Sequence, residues 1–315
     1  MIEKVHALLK AISSEVSRVV VGQQDTLDAL LMALLARGHV LLEGVPGTGK
    51  TLIAKSLATT IQCHFRRIQM TPDLMPSDIV GTSVFDQKTG HFSILKGPVF
   101  TNVLLADEVN RAPAKTQSAL LECMGEKQVT IEGRRFPLPG LFLVLATQNP
   151  VEQEGTYPLP EAQLDRFMFK VVNAYPSEAD EARILANMES GFDPQAASPI
   201  QPVADEAVVL AAQEYVRKVT MRDEVQAYVT RIVRLTREHP TVSMGAGPRA
   251  TVDLFLACKA AATLAGRDFV TPDDAKRVAK LVLAHRIFLK PQAELEGKTP
   301  EQAVTDILLR VKVPR

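Results

Sequence analysis

The sequence predicts an α/β fold, in which a parallel sheet lies between layers of helices and is followed by a second, helical domain. Short apolar runs alternate with helical patterns over the first half of the chain. A glycine-rich segment, residues 44–51, lies directly between the first apolar run and a helical pattern. Strand patterns then end near Pro176. A chain of 315 residues can hold two domains, which we place at residues 1–176 and 177–315.

Composition excludes several classes of protein. The 36 basic residues balance 36 acidic ones, which argues against binding to nucleic acid over the whole surface. Cys63, Cys123 and Cys258 are far apart and without metal-ligand spacing, so we expect neither disulfides nor a zinc site. No apolar run approaches the roughly 20 residues of a membrane span, and residues 1–6 form an amphipathic start rather than a signal peptide. We therefore expect a cytoplasmic protein.

The elements of the first domain follow from apolar spacing. Apolar residues recur at helical intervals in residues 8–16 and 27–35, which predicts two helices before the first strand. Two hairpins are predicted around residues 83–94 and 128–138, where turn residues separate short strand patterns. Short apolar runs predict buried parallel strands at residues 40–42, 65–70, 102–106, 141–146 and 167–172.

Helix start signals organise the second domain. Ser177 is a predicted N-cap, and Thr271 and Thr299 each place a capping hydroxyl before a proline at the first helical position. Gln302 completes a capping box with Thr299. Residues 189–203 contain three prolines and small residues, which predicts a loop between helices.

The glycine-rich segment has the pattern of a phosphate-binding loop. Its glycines let backbone N–H groups converge on phosphate oxygens, Lys50 can reach the β- and γ-phosphates, and the Thr51 hydroxyl can ligate Mg²⁺. The helix that follows adds its positive N-terminal dipole. An ordinary glycine turn is the alternative, which the flanking strand and helix disfavour. The predicted nucleotide-binding residues are Gly44, Pro46, Gly47, Thr48, Gly49, Lys50, Thr51 and Leu52.

Polar residues follow two of the predicted strands. After residues 102–106, Asp107 can hold Mg²⁺ and Glu108 can polarise a water for in-line attack on a γ-phosphate. After residues 141–146, Asn149 can position that water or contact the γ-phosphate, or it can simply start a turn with the proline that follows. Because the carboxyl ends of parallel strands meet at one edge of a sheet, we favour a shared site.

The order of these motifs resembles that of the AAA+ ATPases. Residues 107–113, 117–122 and 146–167 are similar to the MoxR family nearly residue for residue. The resemblance is specific from about residue 20 to residue 172 and continues more weakly to the end of the chain. It implies an AAA+ core with a helix 2 insertion and a pre-sensor 1 hairpin, a C-terminal α-helical lid, and ATP and Mg²⁺ as cofactors.

The resemblance also implies roles for single residues. Asn149 corresponds to sensor 1, and Arg166 to an arginine finger that enters the site of a neighbouring subunit. Arg249 corresponds to sensor 2, which links the lid to the γ-phosphate. Both arginines have the alternative of an exposed surface role. The stretch that packs on adenine corresponds to Val20, Val21 and Gly22.

The roles of some residues stay open. Gln69 lies where some members of the clade keep a polar residue that restrains the catalytic glutamate. Arg111 is either a second contact to a neighbouring subunit or a partner of nearby acidic residues. The hairpin residues either touch a substrate in a ring pore or only keep the loop tips soluble; they are Phe85, Lys88, His91, Phe92, Lys96, Arg134 and Arg135.

The function that the resemblance implies is ATP hydrolysis between subunits of a homo-oligomeric, hexameric ring. This family performs chaperone-like maturation of partner proteins, often ones with von Willebrand factor A domains. One alternative is a magnesium-chelatase-like motor subunit. A DNA-associated motor is disfavoured by the neutral charge, and a non-hydrolysing scaffold is disfavoured by the complete set of hydrolytic residues.

Overall fold

A five-stranded parallel sheet forms the centre of the first domain. The computed structural model describes residues 1–45, 47–88, 90–149, 156–193 and 199–314. In chain order, the elements of this domain are α1 (Ile2–Ser17), α2 (Gln24–Ala36), β1 (Val40–Glu43), α3 (Lys50–Thr60), β2 (Phe65–Gln69), α4 (Pro76–Val80), β3 (Gly81–Asp86), β4 (His91–Lys96), β5 (Val103–Asp107), α5 (Ala114–Glu126), β6 (Gln128–Ile131), β7 (Arg134–Pro137), β8 (Leu143–Gln148), α6 (Glu161–Leu164) and β9 (Phe169–Val172).

The sheet has helices on both faces, as predicted. Its strand order is β2-β5-β8-β1-β9, and all neighbouring strands are parallel. Successive side chains of a strand point to opposite faces. Along β5, Leu104 therefore packs in the cluster that contains α5, and Leu105 in the cluster that contains α1, α2 and α3. The α/β fold class is confirmed.

The predicted strands are confirmed to within two residues at each end. The strand predicted at residues 141–146 is observed as β8, Leu143–Gln148, and that predicted at 167–172 as β9, Phe169–Val172. Leu141 and Phe167 are buried without belonging to a strand. An apolar run in the sequence indicates which residues are buried, and here the buried residues start before the first residue that pairs in the sheet.

Both predicted hairpins are present. Strands β3 and β4 pair antiparallel, as do β6 and β7. Phe85 lies opposite Phe92 with the ring centroids 5.1 Å apart, and both rings are exposed. Whether the hairpin tips contact a substrate stays a prediction.

The described residues of the second domain are mainly helical, with two short paired strands and an isolated bridge between Thr220 and Phe269. Its elements are α7 (Glu178–Glu189), α8 (Glu206–Arg217), α9 (Asp223–Glu238), β10 (Val242–Met244), α10 (Pro248–Leu264), α11 (Pro272–Leu283), β11 (Phe288–Leu289), α12 (Pro291–Leu295) and α13 (Pro300–Arg310). The antiparallel pair β10–β11 was not predicted, because strands of two and three residues are too short to show a period.

The predicted helix caps are observed. Ser177 accepts a hydrogen bond from the backbone N–H of the third residue of α7. Thr271 and Thr299 each form a capping box, the second with Gln302.

The two domains share one hydrophobic cluster. It runs from α1 and α2 through α8, α9, α10 and α11 without interruption. The boundary at residue 176 stays a prediction, since buried contacts continue across it. Within the described part of the chain, no helix is both long and apolar enough to cross a membrane.

Candidate active site

The glycine-rich loop connects β1 to the N-terminus of α3. Gly47 and Gly49 have φ angles of +84° and +78°, a left-handed region that other residues rarely adopt. Gly44 is constrained differently, because a Cβ there would lie 2.7 Å from the carbonyl oxygen of Asn173. Lys50 Nζ donates a hydrogen bond to Gly44 O at 2.5 Å. Pro46, a predicted nucleotide contact, lies outside the described residues.

A cavity of about 580 Å³ opens in front of this loop. It unites the ends of β2, β5 and β8 with the loop that follows β1 and the start of α3, because the carboxyl ends of parallel strands share one edge. Arg67, Gln69, Lys55 and Thr147 complete the wall. The predicted residues found in its lining are Gly47, Thr48, Gly49, Lys50, Thr51, Leu52, Asp107, Glu108 and Asn149.

Asp107, at the end of β5, is held on both carboxylate oxygens. Its Oδ1 accepts a hydrogen bond from Thr147 Oγ1 at 2.5 Å. Its Oδ2 accepts from Arg67, with 2.6 Å to Nη2 and 3.1 Å to Nε. The carboxylate is therefore oriented by a buried hydroxyl on one side and a guanidinium on the other.

Glu108 is held by its backbone as well as by its side chain. Its φ angle of +58° is unusual for a residue other than glycine, and its N–H donates to Thr147 Oγ1 at 2.8 Å. Its Oε2 accepts from Gln69 Nε2 at 2.6 Å and from Arg111 Nη1 at 3.1 Å. Gln69 thus contacts the glutamate as the resemblance implied, and Arg111 pairs with an acidic neighbour, one of its two predicted roles.

Charges of both signs meet at Lys50. Burial lowers the pKa of Lys50, and the carboxylates of Asp107, Glu108 and Glu43 act in the opposite direction. These carboxylates favour the charged form of Lys50, and an ammonium group at a helix N-terminus attracts phosphate oxygens.

A second, smaller cavity adjoins the same loop. Its volume is about 190 Å³, and it shares Gly47, Thr48, Gly49 and Leu52 with the first. Most of its remaining wall is apolar, which suits a planar base; the wall comprises Val19, Val20, Val21, Gln23, Pro176, Ile184, Asn187, Met188 and Phe192.

The three residues of the predicted adenine stretch line two cavities that share Val20. Val20 and Val21 line the smaller cavity. Gly22 lies instead at a neighbouring polar cavity, with a φ angle of +72° and with the Asp180 side chain 2.8 Å from where its Cβ would be. Gly22 thus shapes the turn beside the apolar cavity.

Arg166 and Arg249 lie next to each other. Neither belongs to the described lining of the cavities next to the loop. Arg166 Nη1 donates to Leu121 O at 2.6 Å, and Arg249 Nη2 lies 3.5 Å from Arg166 O. The side chain of Arg249 is 45% exposed. The structure thus places the sensor 2 candidate beside the finger candidate and outside the described lining of the phosphate-loop cavity.

Sequence reasoning missed Arg67 and Thr147 as site residues. The alternation of a strand could have indicated both residues, because side chains two positions apart on a strand lie on the same face. Arg67 precedes Gln69 by two positions, and Thr147 precedes Asn149 by two.

Comparisons with known proteins identify the family. The model of the ATPase family associated with various cellular activities matches residues 39–169, and an AAA lid domain matches residues 234–307. The chain is 44% identical to the chaperone MoxR1 of Mycobacterium tuberculosis over 99% of this chain and 84% of that protein. The chain belongs to the MoxR family of AAA+ ATPases. As a MoxR-family member it is an ATP hydrolase, and the cavity at the phosphate loop is its candidate active site.

Two further relatives extend the similarity over the whole MoxR-type chain. The protein YeaC of Bacillus subtilis is 46% identical over 99% of this chain and 97% of its own length. A crystal structure of a candidate ATPase from Cytophaga hutchinsonii superposes with a TM-score of 0.92 at 44% identity, covering 100% of this chain and 97% of that chain. The lid is therefore shared with the relatives as well as the nucleotide-binding core.

Proposed function

We propose that this MoxR-family ATPase hydrolyses ATP at sites shared between adjacent subunits of a closed, hexameric ring. The observation that carries the proposal is the position of Arg166 and Arg249, next to each other and outside the described lining of the cavity that contains Lys50 and Glu108. We infer that an arginine finger outside the active site of its own chain acts on the active site of a neighbouring subunit. A head-to-tail interface of this kind repeats from subunit to subunit and gives either a closed ring or a filament. The resemblance to the MoxR family favours the closed hexamer.

The predicted catalytic and metal-binding residues of the cavity have the following roles in this proposal. The phosphate loop and Lys50 bind the ATP phosphates, and Glu108 accepts a proton from the attacking water, which Asn149 helps to position. Thr51 and Asp107 line the same cavity and offer the oxygen donors that Mg²⁺ prefers. When bound there, Mg²⁺ would neutralise negative charge on the phosphates.

Two arginines of the neighbouring subunit complete the site. Arg166 and Arg249 then act on the γ-phosphate together, so that ATP holds two subunits in contact and hydrolysis releases them. The work is chaperone-like maturation of a client protein, with a von Willebrand factor A domain protein as the expected class of client. The name of MoxR1 as a chaperone supports this part of the proposal.

A glutamate variant tests the chemistry. Glu108→Gln keeps the shape and the Gln69 contact but cannot accept a proton, so kcat should fall by roughly 10²–10⁴ while ATP still binds. Glu126→Gln, on the exposed face of α5, is the matched control and should hydrolyse ATP normally. Full turnover by Glu108→Gln would refute its role.

Mixed rings test the shared site. Arg166→Ala subunits keep an intact phosphate loop, and Lys50→Ala subunits keep intact arginines, so mixing the two inactive variants should restore activity. Absence of rescue at every mixing ratio would contradict a finger that acts between subunits.

The side on which Arg249 acts can be measured in the same way. If Arg249 serves its own site, Arg166→Ala and Arg249→Ala subunits complement each other. If both arginines serve the neighbour, as we propose, this pair shows no rescue, whereas Lys50→Ala rescues either variant. Turnover that requires DNA or a porphyrin-binding partner would favour the nucleic-acid motor or the chelatase-like subunit instead.

A further inference from the structure

Arg286 is a buried arginine that bridges the lid and the core. It ends the short turn Ala284–Arg286 between α11 and β11, and its side chain is only 2% exposed. Its Nε lies 2.9 Å from Asp165 Oδ1, and its Nη2 lies 2.5 Å from Asp253 Oδ2. The same Nη2 is 2.9 Å from the carbonyl oxygens of Asp165 and Phe167.

Burying such a network is costly unless its charges are paired, and among the described residues Arg286 Nε forms an ion pair with Asp165 but no hydrogen bond. A buried guanidinium loses its hydration and is stable only where carboxylates and carbonyls replace the water. Burial raises the pKa of Asp253, whereas the nearby charges of Arg286 and Arg249 oppose that shift. Removing Arg286 would therefore leave a buried carboxylate without its main counter-charge.

Each of the two carboxylates lies close to one of the two arginines that we place at the subunit interface. Asp165 is the residue before Arg166. Asp253 lies one helical turn after Arg249 on α10, with 4.0 Å between its Oδ2 and Arg249 Nε. Arg286 therefore contacts both the core segment that carries Arg166 and the lid helix that carries Arg249.

We propose that Arg286 is a positioning residue, which holds Arg166 and Arg249 in one fixed arrangement for the neighbouring subunit's ATP. This role rests on the proposed shared site. Through Arg286, a shift of the lid relative to the core moves the finger segment with it. Arg286 does not belong to the described lining of either cavity at the phosphate loop of its own chain.

Kinetics separate this role from simple stability. Arg286→Met removes the charge at similar length, and a loss of about 1 Å in positioning costs roughly 100-fold in rate. We expect that fall in kcat with an unchanged affinity of the chain's own site for ATP. Arg286→Lys keeps the charge without the planar fork and should restore part of the activity.

Mixed rings supply the decisive readout. Lys50→Ala subunits supply intact arginines to the active sites of neighbouring Arg166→Ala subunits and should restore turnover. Lys50→Ala/Arg286→Met subunits should restore none. The matched control is Arg267→Met, which removes another lid arginine, paired with Asp274 at 2.5 Å. Lys50→Ala/Arg267→Met subunits should rescue as well as Lys50→Ala subunits do.

Each outcome of the mixed-ring experiment either supports or refutes the positioning role of Arg286. Full rescue by Lys50→Ala/Arg286→Met subunits overturns the positioning role while leaving the shared site intact. Without rescue by Lys50→Ala itself, the shared site is refuted and the positioning role falls with it. If Arg286→Met does not fold, Asp165→Asn replaces it, because that carboxylate is 35% exposed. Normal rescue by Lys50→Ala/Asp165→Asn subunits would then overturn the proposal.

Discussion

Thr147 joins the two acidic residues of the site through one hydroxyl group. It lies on β8 with 1% exposure, donates to Asp107 Oδ1 at 2.5 Å and accepts the Glu108 N–H at 2.8 Å. Valine has almost the same shape and lacks both bonds. Thr147→Val therefore removes these two hydrogen bonds and little else.

The cost of this change follows from the two bonds. A hydrogen bond to a carboxylate contributes roughly 1.5–3 kcal/mol, and an N–H group left unsatisfied costs roughly 1–3 kcal/mol. Because water can reach the partly exposed Asp107, we expect a total loss of about 2–4 kcal/mol. Glu108 also loses the bond that holds its left-handed backbone, so its carboxylate should be misplaced and kcat should fall roughly 100-fold.

Urea unfolding and steady-state ATPase assays measure the two effects. Thr147→Ser retains the hydroxyl and should preserve activity. Thr101→Val removes a buried hydroxyl that donates to His64 O at 2.8 Å, before the start of β5 and far from Asp107 along the strand. It should lower stability and leave kcat unchanged. A folded Thr147→Val protein with normal kcat would refute the reasoning.

Three further predictions follow from other contacts of the site and the core. Gly44→Ala places a Cβ 2.7 Å from a backbone carbonyl oxygen and should cost about 1–3 kcal/mol in thermal unfolding, whereas Gly140→Ala, with its nearest contact at 3.8 Å, should be tolerated. Gln69→Leu frees Glu108 from its 2.6 Å amide contact and should raise basal ATPase turnover by up to about tenfold; reduced turnover would make Gln69 a positioning residue instead. Burial lowers the pKa of His285 to about 3. Its contribution to stability is therefore complete above the unfolded pKa of about 6.5 and is lost as the pH falls toward 3. The free energy of unfolding should be about 2 kcal/mol lower at pH 5 than at pH 7 because of this group, and His285→Gln should remove that difference.

Most of the core could be predicted because its signals are local. Buried strands are short apolar runs, and the glycines and Lys50 of the phosphate loop are consecutive in the chain. Asp107 and Asn149 follow strands directly, so the parallel sheet brings them to the same edge. The strand starts were less accurate, since residues such as Leu141 are buried before pairing begins.

The contacts that orient the site could not be predicted in the same way. Arg67 joins Asp107 across 40 residues, and Arg286 joins Asp165 across 121. Surface arginines are common, and nothing in the local sequence of either residue distinguishes a solvated guanidinium from one that holds a carboxylate. The expected cytoplasmic location, hexameric ring and client class stay predictions.

The sequence by itself determined the chemical groups of this ATPase, because a phosphate loop, an Asp-Glu strand end and a polar strand end are short motifs whose residues act as neighbours. The tertiary structure decided which groups work together. Only the packing of the lid on the core places Arg249 beside Arg166 and puts Arg286 behind both. That arrangement depends on how helices far apart in the chain bury their apolar faces against one another, which no local pattern records.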